Sequence, residues 1–317
     1  MPSEKIKELI TTVFLTVVFA LLATLPAAVL SVLCTAALAA LLGYVTVRFH
    51  YGFVAFHAFL IFAVYALFQQ NIFAALMAAL PVVLSGLVLG IGYNLKLTAF
   101  RVLIVFTSVY VLNAAGSIKL LGLSAGRNIL EDVIAAVGQV YKESLTAMYG
   151  SQLSSTEINS IVSELTSTLL RFSPSFIVIS CIFFAVLCYY LFKRVLIIRK
   201  CDVTCFSPFS EWRADKFISI TYFVLLAIYF VVPSNSFLSD VLLNMATVMT
   251  FVFFLLGLSF LEYKFKKTIQ KSSMRKVLLV VVAFAAFALM GLPFLVISVI
   301  GALDGFIDFR NRKTQVR

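Results

Sequence analysis

Apolar blocks about twenty residues long recur along this chain from end to end, separated by short polar or basic punctuation. A helix that crosses a membrane needs roughly 20 apolar residues, because each residue adds about 1.5 Å against some 30 Å of hydrocarbon. Blocks that meet or approach this length lie at about 6–25, 27–47, 53–68, 72–92, 97–115, 176–198, 217–232, 237–261 and 277–303. Pro26 divides the first two, since a proline cannot continue a helix undisturbed. The basic start followed by an apolar run also fits a cleaved signal peptide, but a second block comes at once, which favours an uncleaved first span. Gln69, Gln70 and Asn71 form the polar turn between the third and fourth blocks. In the fourth, Pro81 predicts a kink, and Gly86 with Gly90 makes a GxxxG pair that admits another helix at close range.

Residues 116–173 break this rhythm. Leu130, Val133, Ile134, Val137, Tyr141, Leu145 and Met148 recur at helical spacing, which predicts an amphipathic helix. A second one begins at Ser154, where Glu157 stands at capping-box spacing and Leu153 can staple onto Ile158; its apolar face continues through Ile161, Val162, Leu165 and Leu169. Each stripe must be buried against something, so the insert reads as an extracytoplasmic helical hairpin on the membrane surface or capping the bundle. The fold class expected is all-α: a polytopic helical membrane bundle of eight to nine spans, one membrane domain over 1–317.

Composition agrees. Hydrophobic residues make up 62% and charged ones 12% of the 317, about half the charge of a soluble domain. The net charge of +11 does not point to nucleic acid, because lysines and arginines fall in short clusters between apolar blocks, as cytoplasmic loops beside anionic lipid do. With the N-terminus cytoplasmic, four of the twenty-five basic residues lie in the insert and four in the tail; the rest fall in inner loops. The last block fits two topologies. As one helix it would reach about 40 Å, crossing with tilt and leaving the basic tail outside. As a hairpin broken between Gly291 and Pro293 it would keep the tail inside, with arms too short to cross. A single crossing is expected, although the tail charge argues against it.

Chemistry is thin. His50 and His57 are seven apart without partnering carboxylates, and Cys201 with Cys205 is a lone CxxxC, so no metal and no cofactor is expected. Cys34, Cys181 and Cys188 lie inside apolar blocks, and no disulfide framework is implied. No nucleophile elbow, phosphate-cradling loop or HExxH occurs, which argues against an enzyme. Asp240 and Asn244 lie one helical turn apart with Thr247 on the same face, either capping the helix dipole or lining a cavity. Together with Gln69, Gln70, Asn71 and Asn113 they outline a candidate outward pocket for a small-molecule ligand. The stretch FSEWRADKF, Phe209 to Phe217, holds the only tryptophan between Glu211 and Arg213. Trp212 suits the headgroup level and Arg213 a lipid phosphate. The same residues also suit docking onto another part of the bundle or onto a cytoplasmic protein partner. If the last block folds back, Asp304 and Asp308 can pair with Arg213; if it crosses, they cannot.

FSEWRADKF resembles the F-x-E-W-R-L-P signature of the YybS-like family of bacterial membrane proteins, and IGALDGFIDFR, with Asp304, Asp308 and Arg310, is similar to that family's closing G-x-x-D-x-x-x-D-F-R. Ala214 and Asp215 stand where the family has Leu-Pro. The family's early spans are similar to the substrate-binding subunits of energy-coupling-factor transporters, which implies small-molecule capture or transport in a bacterial inner membrane. The other reading is a scaffold that recruits a cytoplasmic partner through the EWR loop.

Overall fold

The computed structural model describes residues 2–69, 71–150, 152–203, 207–233, 236–289 and 291–310. Among them the chain is all helix, without strands: α1 (Pro2–Ala23), α2 (Ala28–Arg48), α3 (Tyr51–Gln69), α4 (Ile72–Asn94), α5 (Ala99–Ala125), α6 (Ile129–Tyr149), α7 (Ser155–Ile198), α8 (Lys216–Val231), α9 (Phe237–Thr268), α10 (Ser272–Ala288) and α11 (Leu292–Ile307), with a single 3-10 turn at Phe209–Glu211. Seven of these, α1 to α5, α7 and α9, are long and apolar enough to cross a membrane, while α8 and α11 are apolar but shorter. The chain expected to form one domain falls into two compact units, residues 1–170 with 180–206, and 171–179 with 207–317.

In the first unit α2 and α4 meet along small residues. A Cβ on Gly86 would come within 2.7 Å of Leu42 Cβ, and one on Gly90 would collide with Thr46, so the GxxxG is a contact seam. Close backbone approach matters here because lipid is as apolar as leucine and packing, more than water exclusion, drives helices together. Leu42, Val45 and Val54 form a buried cluster beside Val83 and Leu87. Asn71 caps α4 by accepting from the backbone N–H groups of Phe73 and Ala74 at 2.9 and 3.3 Å.

The capping box at Ser154 and Glu157 is present, and the Ser154 backbone N–H and hydroxyl, both donating to Glu157 Oε2 at 2.8 Å, hold the carboxyl below the usual range. The helix it starts is longer than expected. The second amphipathic helix and the sixth span are one helix, α7, which runs 44 residues through Pro174. At 1.5 Å per residue that is about 66 Å, twice the hydrocarbon thickness, so its first half extends past the apolar span. Likewise α5 continues to Ala125, beyond the boundary at 115 read from hydropathy. α6 packs on α7 at Gly138, where a Cβ would meet Thr166 Cγ2 at 2.6 Å, but only Gly138 and Leu145 of α6 are buried; Val133, Val137 and Met148 stay exposed.

In the second unit the last apolar block is broken into two helices, where a single continuous helix was expected. Gly291 adopts φ +151°, open to glycine at little cost, and Pro293 lies in the first turn of α11. Phe287 of α10 and Phe294 of α11 both pack on Phe254 of α9, at 5.2 and 4.5 Å between ring centres. From there α11 runs back beside α9, with Ile297 against Gly257 and Phe309 beside Phe260. α10 and α11 therefore form a hairpin whose two ends lie at the C-terminal end of α9. Its turn lies near the middle of that helix. Gly257 and Gly301 make this possible: a Cβ on Gly301 would stand 2.6 Å from the Gly257 nitrogen.

Candidate functional site

A dense polar arrangement in the second unit forms where the EWR loop meets the end of α11. Asp308 ends the helix in a left-handed conformation, φ +54°, which turns the chain back on itself. Arg310 thus comes under its own helix, where its Nε donates to Asp304 Oδ2 at 2.7 Å. Its Nη1 donates to the Ser210 carbonyl at 2.5 Å, and its Nη2 to the Trp212 carbonyl at 3.0 Å and to Ser259 Oγ at 3.3 Å. The guanidinium also lies over the rings of Phe260 and Tyr263, and Tyr263 donates its hydroxyl to the Arg310 carbonyl at 3.1 Å.

Both charges are buried, the Arg310 side chain 7% and Asp304 2% exposed. Asp304 Oδ1 has no hydrogen-bond partner among the described residues. The loop is tied from a second direction by Ser259, whose hydroxyl lies 2.6 Å from the Phe209 carbonyl and 2.7 Å from that of Trp212, its one proton serving either. Gly305 completes the fit, since a Cβ there would stand 3.0 Å from the Ala214 carbonyl. Outside this core, Arg213 pairs with Asp308 at 2.8 Å across half-exposed side chains.

The conditional pairing is therefore half met: Asp308 takes Arg213, but Asp304 takes Arg310. Trp212 is not at a surface. It is buried, edge-on to Phe209 at 5.2 Å, while Glu211 remains exposed. Ala214 and Asp215, which depart from Leu-Pro, sit at the start of α8, with Ala214 buried.

A second polar cluster lies where α7 passes α9. Arg171 Nε donates to Asp240 Oδ1 at 2.5 Å, so Asp240 holds an ion pair while Ser236 caps α9. Pro174 interrupts α7, and Asn244 repairs it. Its Oδ1 accepts from the Ser175 N–H at 3.0 Å and its Nδ2 donates to the Arg171 carbonyl at 3.0 Å, two groups that an undisturbed helix would pair with each other. Beside this clamp an apolar groove of about 320 Å³ is lined by Pro174, Val178, Met245, Val248 and Met249.

The other pocket residues expected from sequence belong to the first unit. Gln69 is exposed at the end of α3, Asn71 is spent on its cap and Asn113 is half-buried in α5; Gln70 lies outside the described residues. His57 is buried, with Nδ1 2.7 Å from the Phe53 carbonyl and Nε2 3.3 Å from Thr12 Oγ1, whereas His50 is exposed. No group of three or more metal-ligating side chains converges among the described residues. Cys205 lies outside the described residues. Sequence reading missed Arg171, Ser259, Gly257 and Gly301; the two glycines inside otherwise apolar helices were the only available signal.

A family described as a predicted membrane protein (DUF2232) matches residues 13–304, from the middle of α1 to the buried aspartate of α11. The chain belongs to the DUF2232 family. No curated protein and no solved structure matches it. In this DUF2232 chain the match takes in both Trp212 and Asp304, two parts of the latch between the EWR loop and α11, and stops short of Arg310.

Proposed function

We propose that this integral membrane protein is a non-catalytic subunit that binds a small molecule or carries it across a bacterial inner membrane, with its N-terminus in the cytoplasm. One observation supports the reading above others: the helix break between α10 and α11, about halfway along α9. Backbone freed from a helix at membrane depth is tolerated only where protein buries it or water reaches it, and such breaks form the binding sites of many transporters. Leu289 and Leu292, flanking the break, are both exposed. The described residues therefore do not seal the turn; lipid can cover these side chains, and the backbone freed at the break is what calls for water nearby. The scaffold reading loses its anchor, because Trp212 is spent inside the chain.

Cysteines placed at Leu289 and Leu292, with the native cysteines replaced, test this in sealed vesicles. Labelling by a small membrane-impermeant thiol reagent from one side is expected. Protection from both sides, with normal labelling at a loop control, would contradict an aqueous binding path.

A further inference from the structure

At the end of the first unit where α1 begins and α2 and α7 finish, a cavity of about 440 Å³ is lined by Glu4, Lys5, Lys7, Glu8, Arg48 and Arg199, with Thr11 at its side. That volume lies within the range of small-molecule sites. Four cationic side chains face two carboxylates, leaving a surplus of two positive charges.

The internal ion pairing does not use up these cations. Glu8, whose side chain is only 15% exposed, is shared: the Tyr44 hydroxyl donates to one of its oxygens, Arg48 Nε reaches the other at 3.4 Å, and Arg199 Nη1 comes no closer than 3.8 Å. An arginine carries five N–H donors in a planar fork, so two guanidiniums on one carboxylate keep most of their donors for another acceptor. Arg199 is also held in place, its guanidinium 5.7 Å from the Tyr44 ring centre. Preset guanidiniums beside flexible lysines, with surplus positive charge, are the chemistry that recognises a phosphate group.

We propose that this pocket binds a phosphate-bearing anion, with Arg48 and Arg199 as the bidentate donors and Lys5 and Lys7 as the outer charges. Phosphate chemistry has two sources at such a place, a lipid headgroup and a soluble phosphate, and the same full-length protein separates them. In nanodiscs of phosphatidylcholine alone, inorganic pyrophosphate is titrated against thermal stability. In nanodiscs containing phosphatidylglycerol, lipid retention is followed by native mass spectrometry.

Binding in either arm should weaken about tenfold or more in Arg48→Gln/Arg199→Gln, as expected for losing charge-assisted bonds. It should also weaken in Lys5→Gln/Lys7→Gln, which disturbs no ion pair with Glu8, and remain in Lys266→Gln/Lys271→Gln elsewhere on the chain. Loss confined to pyrophosphate assigns a soluble ligand, and loss confined to phosphatidylglycerol assigns a lipid headgroup. No binding of either probe, or equal binding in all variants, would overturn the proposal, as would equal loss in the Lys266/Lys271 control.

Discussion

Replacing Arg310 by methionine is the sharpest perturbation of the latch. The change removes an ion pair at 2.7 Å and three further donor contacts, yet keeps an apolar side chain of similar length over Phe260 and Tyr263. It also strands Asp304, 2% exposed and already lacking a partner for one oxygen. Breaking one side of a buried pair costs about 3–5 kcal/mol, most of it the uncompensated charge. For a folded unit of this size that corresponds to a fall in Tm of roughly 10 °C or more. Trp212 is the only tryptophan and is buried at the latch, so its fluorescence reports both unfolding in detergent and access of iodide to the loop. Thermal unfolding should shift down and quenching should rise in Arg310→Met. Adding Asp304→Leu should restore much of the loss, because an apolar pair of similar size replaces buried charges at little cost. An Arg310→Met protein as stable as the parent, or a double variant less stable than either single one, would refute the latch as an energetic unit.

Three other contacts carry outcomes of their own. Gly301→Ala should destabilise by about 1–3 kcal/mol, because its methyl group meets the Phe253 carbonyl and the Gly257 backbone, which cannot step aside; thermal unfolding reads it. Asn244→Leu should cost about 1–3 kcal/mol by leaving the Ser175 N–H and the Arg171 carbonyl to one another across a proline break, and faster amide exchange should be confined to α7 around Pro174. Glu157 has its pKa depressed by the cap, so the stability it adds to the start of α7 is present above the ordinary glutamate pKa and is lost as pH falls through the lowered value. Exchange protection at 155–158, corrected for intrinsic rates, should therefore drop on acidification in the parent and be low at all pH values in Ser154→Ala.

Features governed by neighbours in sequence were legible. The Ser154–Glu157 box and the Gly86–Gly90 seam each arise from local spacing, and so do most helix positions in the first half of the chain, whereas the cap made by Asn71 was not read from the polar turn it sits in. Features governed by distant residues were not. The insert and the sixth block read as separate helices, but α7 runs on through Pro174 because Asn244, seventy residues later, bonds the backbone groups freed there. Arg310 stands out in the sequence only through the closing motif it shares with Asp304 and Asp308; the left-handed turn at Asp308 is what brings it beneath Asp304 and onto carbonyls of the EWR loop. The break at Gly291 was visible as an alternative, but apolar length could not choose between crossing and folding back. The choice comes from Gly257 and Gly301, which let α11 lie against α9.

The hairpin of α10 and α11 is the claim on which the latch and the proposed path both stand. In a cysteine-free background, single cysteines at Ser273 and directly after Arg317 can be exposed to an impermeant maleimide in intact cells and in inverted vesicles. A hairpin predicts that both label in the same preparation and are protected in the other, whichever side that is. Labelling of one in cells and of the other in inverted vesicles would mean that the last block crosses the membrane, and the hairpin would be wrong.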